Sequence, residues 1–210
     1  MYPMKIIAPA FGLLLLAFAT TTLAEQLPPT LTRDGAASPG LRDAVVVIIR
    51  HAEKPESGFE LSVPGQQRAD AYVNYFKTLN INSHLFKPDC LYATADSKGS
   101  HRPRLTLEPL GKALGLKIDA QYKNKDFVNL ASEIRSHPPG KSILIAWHHG
   151  EIPALAQALG ADPAKLLPDG KWPSEVFGWM LELSYDHAGR LMPEKTKRIN
   201  ENLMSADSRQ

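Results

Sequence analysis

The chain has 210 residues, with 24 basic and 22 acidic side chains and a formal net charge of +2. This length allows one compact domain with a sizeable core and is short for two ordinary domains. A charge so close to zero provides no extended positive field for nucleic acid or an anionic membrane, so we expect no nucleic-acid partner.

The first 24 residues are typical of an export signal. Lys5 supplies a positive charge, residues 11–19 (FGLLLLAFA) form an apolar run, and Thr-Leu-Ala at 22–24 is a small-residue cleavage site. We therefore expect residues 1–24 to be a signal peptide, with no stable membrane insertion after its removal. The alternative is an uncleaved anchor, which Pro9 disfavours within the apolar stretch.

The rest of the chain divides by composition into three segments. Residues 25–43 are rich in Pro, Thr, Gly and Ser and predict a flexible tether, residues 44–200 a single domain, and residues 201–210 a polar tail. Cys90 is the only cysteine, so the chain forms no internal disulfide. An exported domain of this size without disulfides is compatible with a bacterial periplasm, which is the location we expect.

Apolar patterning in the domain predicts strands alternating with helices. Continuous apolar runs predict strands at 44–49, 90–93, 142–147 and 176–185, with an edge strand after residue 190. Helical spacing predicts helices at 66–79, 103–114, 127–134 and 152–159. This order favours an α/β fold with a mostly parallel central sheet and helices on both faces.

Two histidine-containing segments follow predicted strands. Arg50-His51 comes directly after the first strand, and His148-His149 follows the strand at 142–147. Ligands of open α/β sheets bind beyond the carboxyl ends of the strands, where both segments fall. A guanidinium matches phosphate oxygens, and a neutral imidazole nitrogen can attack phosphorus, so these residue types suit phosphoryl transfer.

Four short motifs occur in a fixed order along the chain. They are Arg50-His51-Ala52-Glu53-Lys54, Leu61-Ser62 with Gly65 and Ala69, Arg102-Pro103-Arg104-Leu105-Thr106, and Trp147-His148-His149-Gly150. Together they resemble the histidine phosphatase superfamily, which includes phosphoglycerate mutases, phytases and small phosphohistidine phosphatases; Ala52 stands where that family has glycine. The resemblance implies a phosphoglycerate mutase-like fold.

By that resemblance, His51 is the nucleophile that accepts the phosphoryl group. Arg50, Arg102 and His149 surround that group and bind it. Arg104 competes with Arg102 for the role of second phosphate-binding arginine.

The second histidine and the proton donor each have more than one candidate. Spacing to Gly150 favours His149 over His148 as the second catalytic histidine. We favour Glu151 as the donor to the leaving group, although it also suits a helix N-terminus. The other candidate carboxylates are Glu53, Asp119 and Asp126.

The expected activity is hydrolysis of a phosphate monoester through a phosphohistidine on His51, without metal or cofactor. The substrate is expected to be a small phosphorylated molecule, such as an envelope sugar or lipid phosphate. Alternatives are a phosphoglycerate mutase-like phosphotransferase, a non-catalytic phosphate-binding pseudoenzyme, and a metal site. The metal site would be built on His148, His149 and Glu151 together with His51 and Glu53. Two nearby arginines and the lack of an HExxH spacing disfavour the metal site.

Overall fold

The computed structural model describes residues 40–207. The predicted signal peptide, residues 25–39 of the predicted tether and residues 208–210 lie outside the described residues. Within 40–207, no helix combines the length and the apolar character needed to cross a membrane.

The core of the fold is a six-stranded sheet. The described residues form eight strands, of which six build this sheet: β1 (Val45–Arg50), β2 (Asn80–Ile81), β3 (His84–Leu85), β4 (Cys90–Ala93), β5 (Ile118–Asp119), β6 (Ser142–Trp147), β7 (Trp179–Ser184) and β8 (Lys197–Asn200). The sheet order is β5-β4-β6-β1-β7-β8, while β2 and β3 form a separate hairpin. The first four strands in that order run parallel, and β7 and β8 extend the sheet in antiparallel fashion.

Helices cover both faces of this sheet. They are α1 (Val63–Thr78), α2 (Arg102–Leu114), α3 (Phe127–Ser136), α4 (Ile152–Ala158) and α5 (Pro163–Leu166). In β1, Val46 and Ile48 pack in one core with α3 and α4, whereas Val47 and Ile49 pack in a second core with α1 and α2. The predicted fold class is therefore confirmed, and β1 is buried on both faces, as its continuous apolar run predicted.

Helices α1 and α2 begin slightly earlier than their apolar spacing predicted, whereas α3 and α4 begin at the predicted residues. The hydroxyl of Ser62 accepts a hydrogen bond from the Gly65 N–H and caps α1, with Pro64 in the first turn. Strand β7 begins at Trp179 rather than residue 176, because the preceding residues belong to the loop that contacts Arg50. The last strand starts at Lys197, after a short 3₁₀ turn at Pro193–Lys195.

The predicted boundaries of the domain are too narrow at both ends. Leu41, assigned to the tether, is buried in the core. Glu201 and Asp207, assigned to a polar tail, are also buried, and both carboxylates bind Arg68. Residues 201–207 therefore belong to the domain, because they neutralise a charge that α1 carries into the interior.

Candidate active site

The two histidine segments meet at the carboxyl edge of the parallel strands. Strands β1 and β6 are neighbours, and Arg50 lies opposite Trp147 in their register. The first residues beyond these strands, His51 and His148, are therefore adjacent. Their ring centroids lie 5.0 Å apart, with the ring planes inclined at 70°.

The protonation state of His51 follows from its surroundings. Its ring is buried, and Nδ1 lies 2.7 Å from the carbonyl oxygen of Ala52. A carbonyl oxygen only accepts hydrogen bonds, so Nδ1 carries the proton and Nε2 keeps its lone pair. Burial is the main cause that lowers the pKa of His51 to about 2; the nearby charges of His148, Arg50 and Arg102 act in the same direction, and the hydrogen bond to Ala52 opposes them. His51 is thus neutral and nucleophilic at neutral pH.

The sequence analysis favoured His149 as the second histidine, but a different histidine lies against His51. It is the ring of His148 that contacts His51. Burial, and then the charge of Arg102, lower the pKa of His148 to about 4. Burial also lowers the pKa of His149, whose charged neighbours are Arg50, Lys54 and Glu175. The charge of Arg50 thus acts on His149, whereas His148 is the histidine whose ring contacts His51.

Arg50 is held rigidly under the site. Its side chain is buried, and Nη1 donates to the carbonyl oxygen of Val176 at 2.8 Å and also to that of Ser174. The guanidinium lies 3.6 Å from the ring centre of Phe177, a cation–π contact. Burial lowers the pKa of Arg50 to about 10, which leaves it charged at neutral pH.

Arg102 and Arg104 differ in their partners. Arg104 pairs with Asp96 at 2.7 Å and also with Glu108, so its charge is neutralised on the surface of α2. Arg102 donates instead to the backbone carbonyls of Gly58, at 3.0 Å, and Gly99, at 3.3 Å. It pairs with no carboxylate in the described part of the chain, and its charge acts on both His51 and His148.

The second and third motifs hold the loop that carries His51. The backbone N–H and hydroxyl of Ser62 donate to the carbonyl oxygen of Glu53. A Cβ at Gly65 would lie 2.3 Å from that oxygen, which explains the glycine. On the other side, the Thr106 hydroxyl accepts from the Ala52 N–H at 2.8 Å and donates to the Arg102 carbonyl at 2.7 Å.

All four candidate proton donors have partners in the structure. Glu53 pairs with Arg68 at 2.7 Å. Asp119 accepts hydrogen bonds from Gln121, and Asp126 accepts from the Lys123 N–H. Glu151 precedes α4, pairs with Lys125, and is the carboxylate whose charge reaches His148.

The sequence analysis missed Glu175. This exposed residue lies in the loop between α5 and β7, and its charge acts on both Arg50 and His149. No motif marks the position, and only the hydrogen bonds from Arg50 to that loop bring it to the site.

Polar atoms without partners are concentrated at this edge of the sheet. Of seven such buried side-chain atoms within residues 40–207, five belong to residues at the site or to loops that follow β4 and β5. These five are Arg50 Nε, Thr94 Oγ1, Arg102 Nε, Asn124 Oδ1 and His149 Nδ1. Burying a donor without an acceptor is costly, so two arginine N–H groups in one place suit a ligand with several acceptor oxygens.

Side chains of the kinds that bind metal ions are not grouped together in the described residues. In the described part of the chain, no group of three or more His, Cys, Asp and Glu residues is placed to hold a metal ion. The imidazoles of His51 and His148 instead lie in the positive field of Arg50 and Arg102. This environment attracts anions and repels cations.

Comparison with known proteins gives structural likeness only. No family model matches the sequence, and no curated protein matches it either. Among solved structures, the protein histidine phosphatase SixA complexed with tungstate is 16% identical, with 75% of this chain and 97% of that chain covered and a TM-score of 0.44. A phosphoglycerate mutase from Plasmodium falciparum is also 16% identical, with 71% and 87% covered and a TM-score of 0.48.

A third match is the α-ribazole-5′-P phosphatase described for Escherichia coli. It is 12% identical, with 72% of this chain and 96% of that chain covered and a TM-score of 0.46. These proteins are of the kinds that the four motifs resemble. With such low identities and TM-scores, the function of this chain has to be argued from its own site.

Proposed function

We propose that this chain is a metal-independent histidine phosphatase that hydrolyses phosphate monoesters through a phosphohistidine on His51. One observation carries the proposal: His51 is held as the tautomer with a free Nε2 lone pair, in the combined field of Arg50 and Arg102. A neutral nucleophile beside fixed cations is what phosphoryl transfer to an imidazole needs.

In the first step, Nε2 of His51 forms a bond to phosphorus while the bond from phosphorus to the ester oxygen breaks. Negative charge spreads over the equatorial phosphoryl oxygens. Arg50 and Arg102 stabilise that charge with donors whose positions are fixed by backbone carbonyls before the substrate arrives. His148, in contact with His51, gains a proton as the phosphate dianion approaches and adds a third donor.

The leaving oxygen takes a proton as it departs, and we propose Glu151 as the donor. Its carboxyl is mostly buried and acts on His148, whereas Glu53 is committed to Arg68. In the second step, the same carboxylate removes a proton from water, and the water oxygen attacks phosphorus. The bond from phosphorus to Nε2 breaks, which releases inorganic phosphate and restores neutral His51.

We further propose that the enzyme acts after export, in a bacterial periplasm, on a small phosphate ester such as an envelope sugar or lipid phosphate. The support is the signal-like sequence at residues 1–24 and the absence of any strong net charge. Arg50 and Arg102 account for recognition of the phosphate, and a screen of phosphate esters would identify the group that the phosphate is attached to.

The test is phosphate release from p-nitrophenyl phosphate by the purified chain, with and without EDTA, beside His51→Ala. We expect activity that survives EDTA and is lost in the variant. Activity lost to EDTA would point to a metal site. Saturable phosphate binding without turnover on any phosphate ester would indicate a binding protein.

A further inference from the structure

A buried ion cluster lies outside the proposed active site. Arg68 in α1 is fully buried and binds three carboxylates: Glu53 at 2.7 Å, Glu201 at 3.0 Å and Asp207 at 2.6 Å. The Tyr72 hydroxyl lies 2.9 Å from both oxygens of Glu201. The phosphoryl-transfer steps described above use none of these groups, although the arrangement removes several charges from water at considerable cost.

Residues 201–207, here named the C-terminal segment, are fixed in place at both ends. The N–H of Glu201 donates to the Gly178 carbonyl at 2.8 Å. The carboxylate of Asp207 accepts from the N–H groups of Leu203 and Met204, which orients it toward Arg68. A Cβ at Gly178 would lie 2.4 Å from that carboxylate, so the packing there is tight.

The same ion cluster includes Glu53, which belongs to the loop that carries His51. Glu53 is two residues beyond His51, and the carbonyl of the residue between them, Ala52, accepts the Nδ1 proton of His51. The Ala52 N–H is bound by Thr106, and the Glu53 carbonyl is bound by Ser62. The Glu53 side chain supplies the remaining attachment, through Arg68.

We propose that the C-terminal segment is part of the positioning machinery of the active site: Asp207 holds Arg68, Arg68 holds Glu53, and Glu53 fixes the Ala52 carbonyl that selects the reactive tautomer of His51. This inference rests on the proposed role of His51 as nucleophile. Glu53, Arg68 and Asp207 are positioning residues, because none of them touches the reacting atoms.

The physical consequence concerns one proton. An imidazole exchanges its proton between Nδ1 and Nε2, and the acceptor beside Nδ1 decides which form prevails. If the Ala52 carbonyl shifts, the proton moves to Nε2 for part of the time, and the lone pair needed for attack is lost. Turnover then scales with the fraction of His51 that still carries its proton on Nδ1, while substrate binding by the arginines is retained.

The experiment uses Asp207→Asn and Glu53→Gln, which weaken the cluster from opposite ends while keeping the shapes of the side chains. Glu53 is partly exposed, so its variant should fold even if Asp207→Asn does not. The matched control is Glu182→Gln, which alters a buried carboxylate near Lys197 that has no hydrogen bond to the His51 loop among the described contacts. Each variant is assayed per folded molecule with p-nitrophenyl phosphate, and the ring ¹⁵N shifts of His51 are recorded by NMR.

For both cluster variants we expect kcat to fall about 10-fold to 100-fold, a range typical of lost outer-shell partners, with KM nearly unchanged. The His51 shifts should move from the Nδ1–H form to a population dominated by the Nε2–H form, and Glu182→Gln should change neither quantity. Unchanged kcat and a single tautomer in Glu53→Gln would overturn the inference while the proposed function stands. A tautomer shift in the two cluster variants, together with no phosphatase activity in the wild-type protein, would support the positioning role and remove the proposed function.

Discussion

The imidazole ring of His148 lies 5.0 Å from that of His51, at the ends of two neighbouring parallel strands. In the proposed mechanism, this relationship assigns the assisting role to His148 rather than to His149. We expect His148→Asn to lower kcat roughly 100-fold to 1000-fold, by analogy with loss of one preorganised donor. His149→Asn should act mainly through Arg50 and cost less. Steady-state kinetics on both variants decide the matter, and the reverse order of effects would contradict this assignment.

Substitutions of the two arginines of the third motif should have clearly different effects on activity. Arg102→Ala removes a cation from the field at His51, and kcat/KM should fall roughly 100-fold to 1000-fold. Arg104→Ala breaks only a half-exposed pairing with Asp96 and Glu108, which contributes little, so activity should stay close to that of the wild type. Similar losses in both variants would show that the site extends to Arg104.

The role of Glu151 can be tested by changing the leaving group. p-Nitrophenolate departs without a proton, whereas an alkoxide leaving group needs one. Glu151→Gln should therefore reduce turnover of glycerol phosphate much more than turnover of p-nitrophenyl phosphate. The matched control is Glu175→Gln, which alters the field at Arg50 and should affect the two substrates equally. Equal losses in Glu151→Gln would assign the proton to another group.

Anion binding should be linked to uptake of a proton. The pKa of His148 is about 4 in the free site, lowered by burial and by Arg102. A bound dianion raises that pKa, so the complex holds more protons than the free protein above about pH 4, up to the raised pKa. Affinity should therefore increase as pH falls through this window and level off below it.

Sulfate suits this test because it does not itself titrate near neutral pH. Calorimetric titrations in buffers of different ionisation enthalpy measure the proton uptake directly. His148→Asn should abolish the uptake while weak sulfate binding remains. An uptake that persists in the variant would place the proton on another group, such as His149.

Much of the fold was predictable because its signals are local. The apolar runs at 90–93 and 142–147 match β4 and β6 to the residue, and His51 follows a strand buried on both faces. The second histidine was not predictable from spacing alone. It depends on the register of β1 against β6, a pairing between segments about 97 residues apart that places Arg50 opposite Trp147.

The ion cluster was missed for a related reason. Glu201 and Asp207 stand in a polar sequence that is typical of a solvated tail, and Arg68 stands in a helix with other charged residues. Arg68 and Asp207 are separated by 139 positions. Nothing in the neighbourhood of either residue indicates that they meet, because the contact is made by the packing of the C-terminal segment against α1.

The most direct test of the central claim is to trap the phosphorylated enzyme. The purified chain is mixed with a ³²P-labelled phosphate monoester, quenched in alkali, where phosphohistidine survives, and digested for mass spectrometry. We predict label on His51, absent from His51→Asn and stabilised in Glu151→Gln, where water attack is slowed. Rapid phosphate release with no label on His51, or label retained in His51→Asn, would contradict the account.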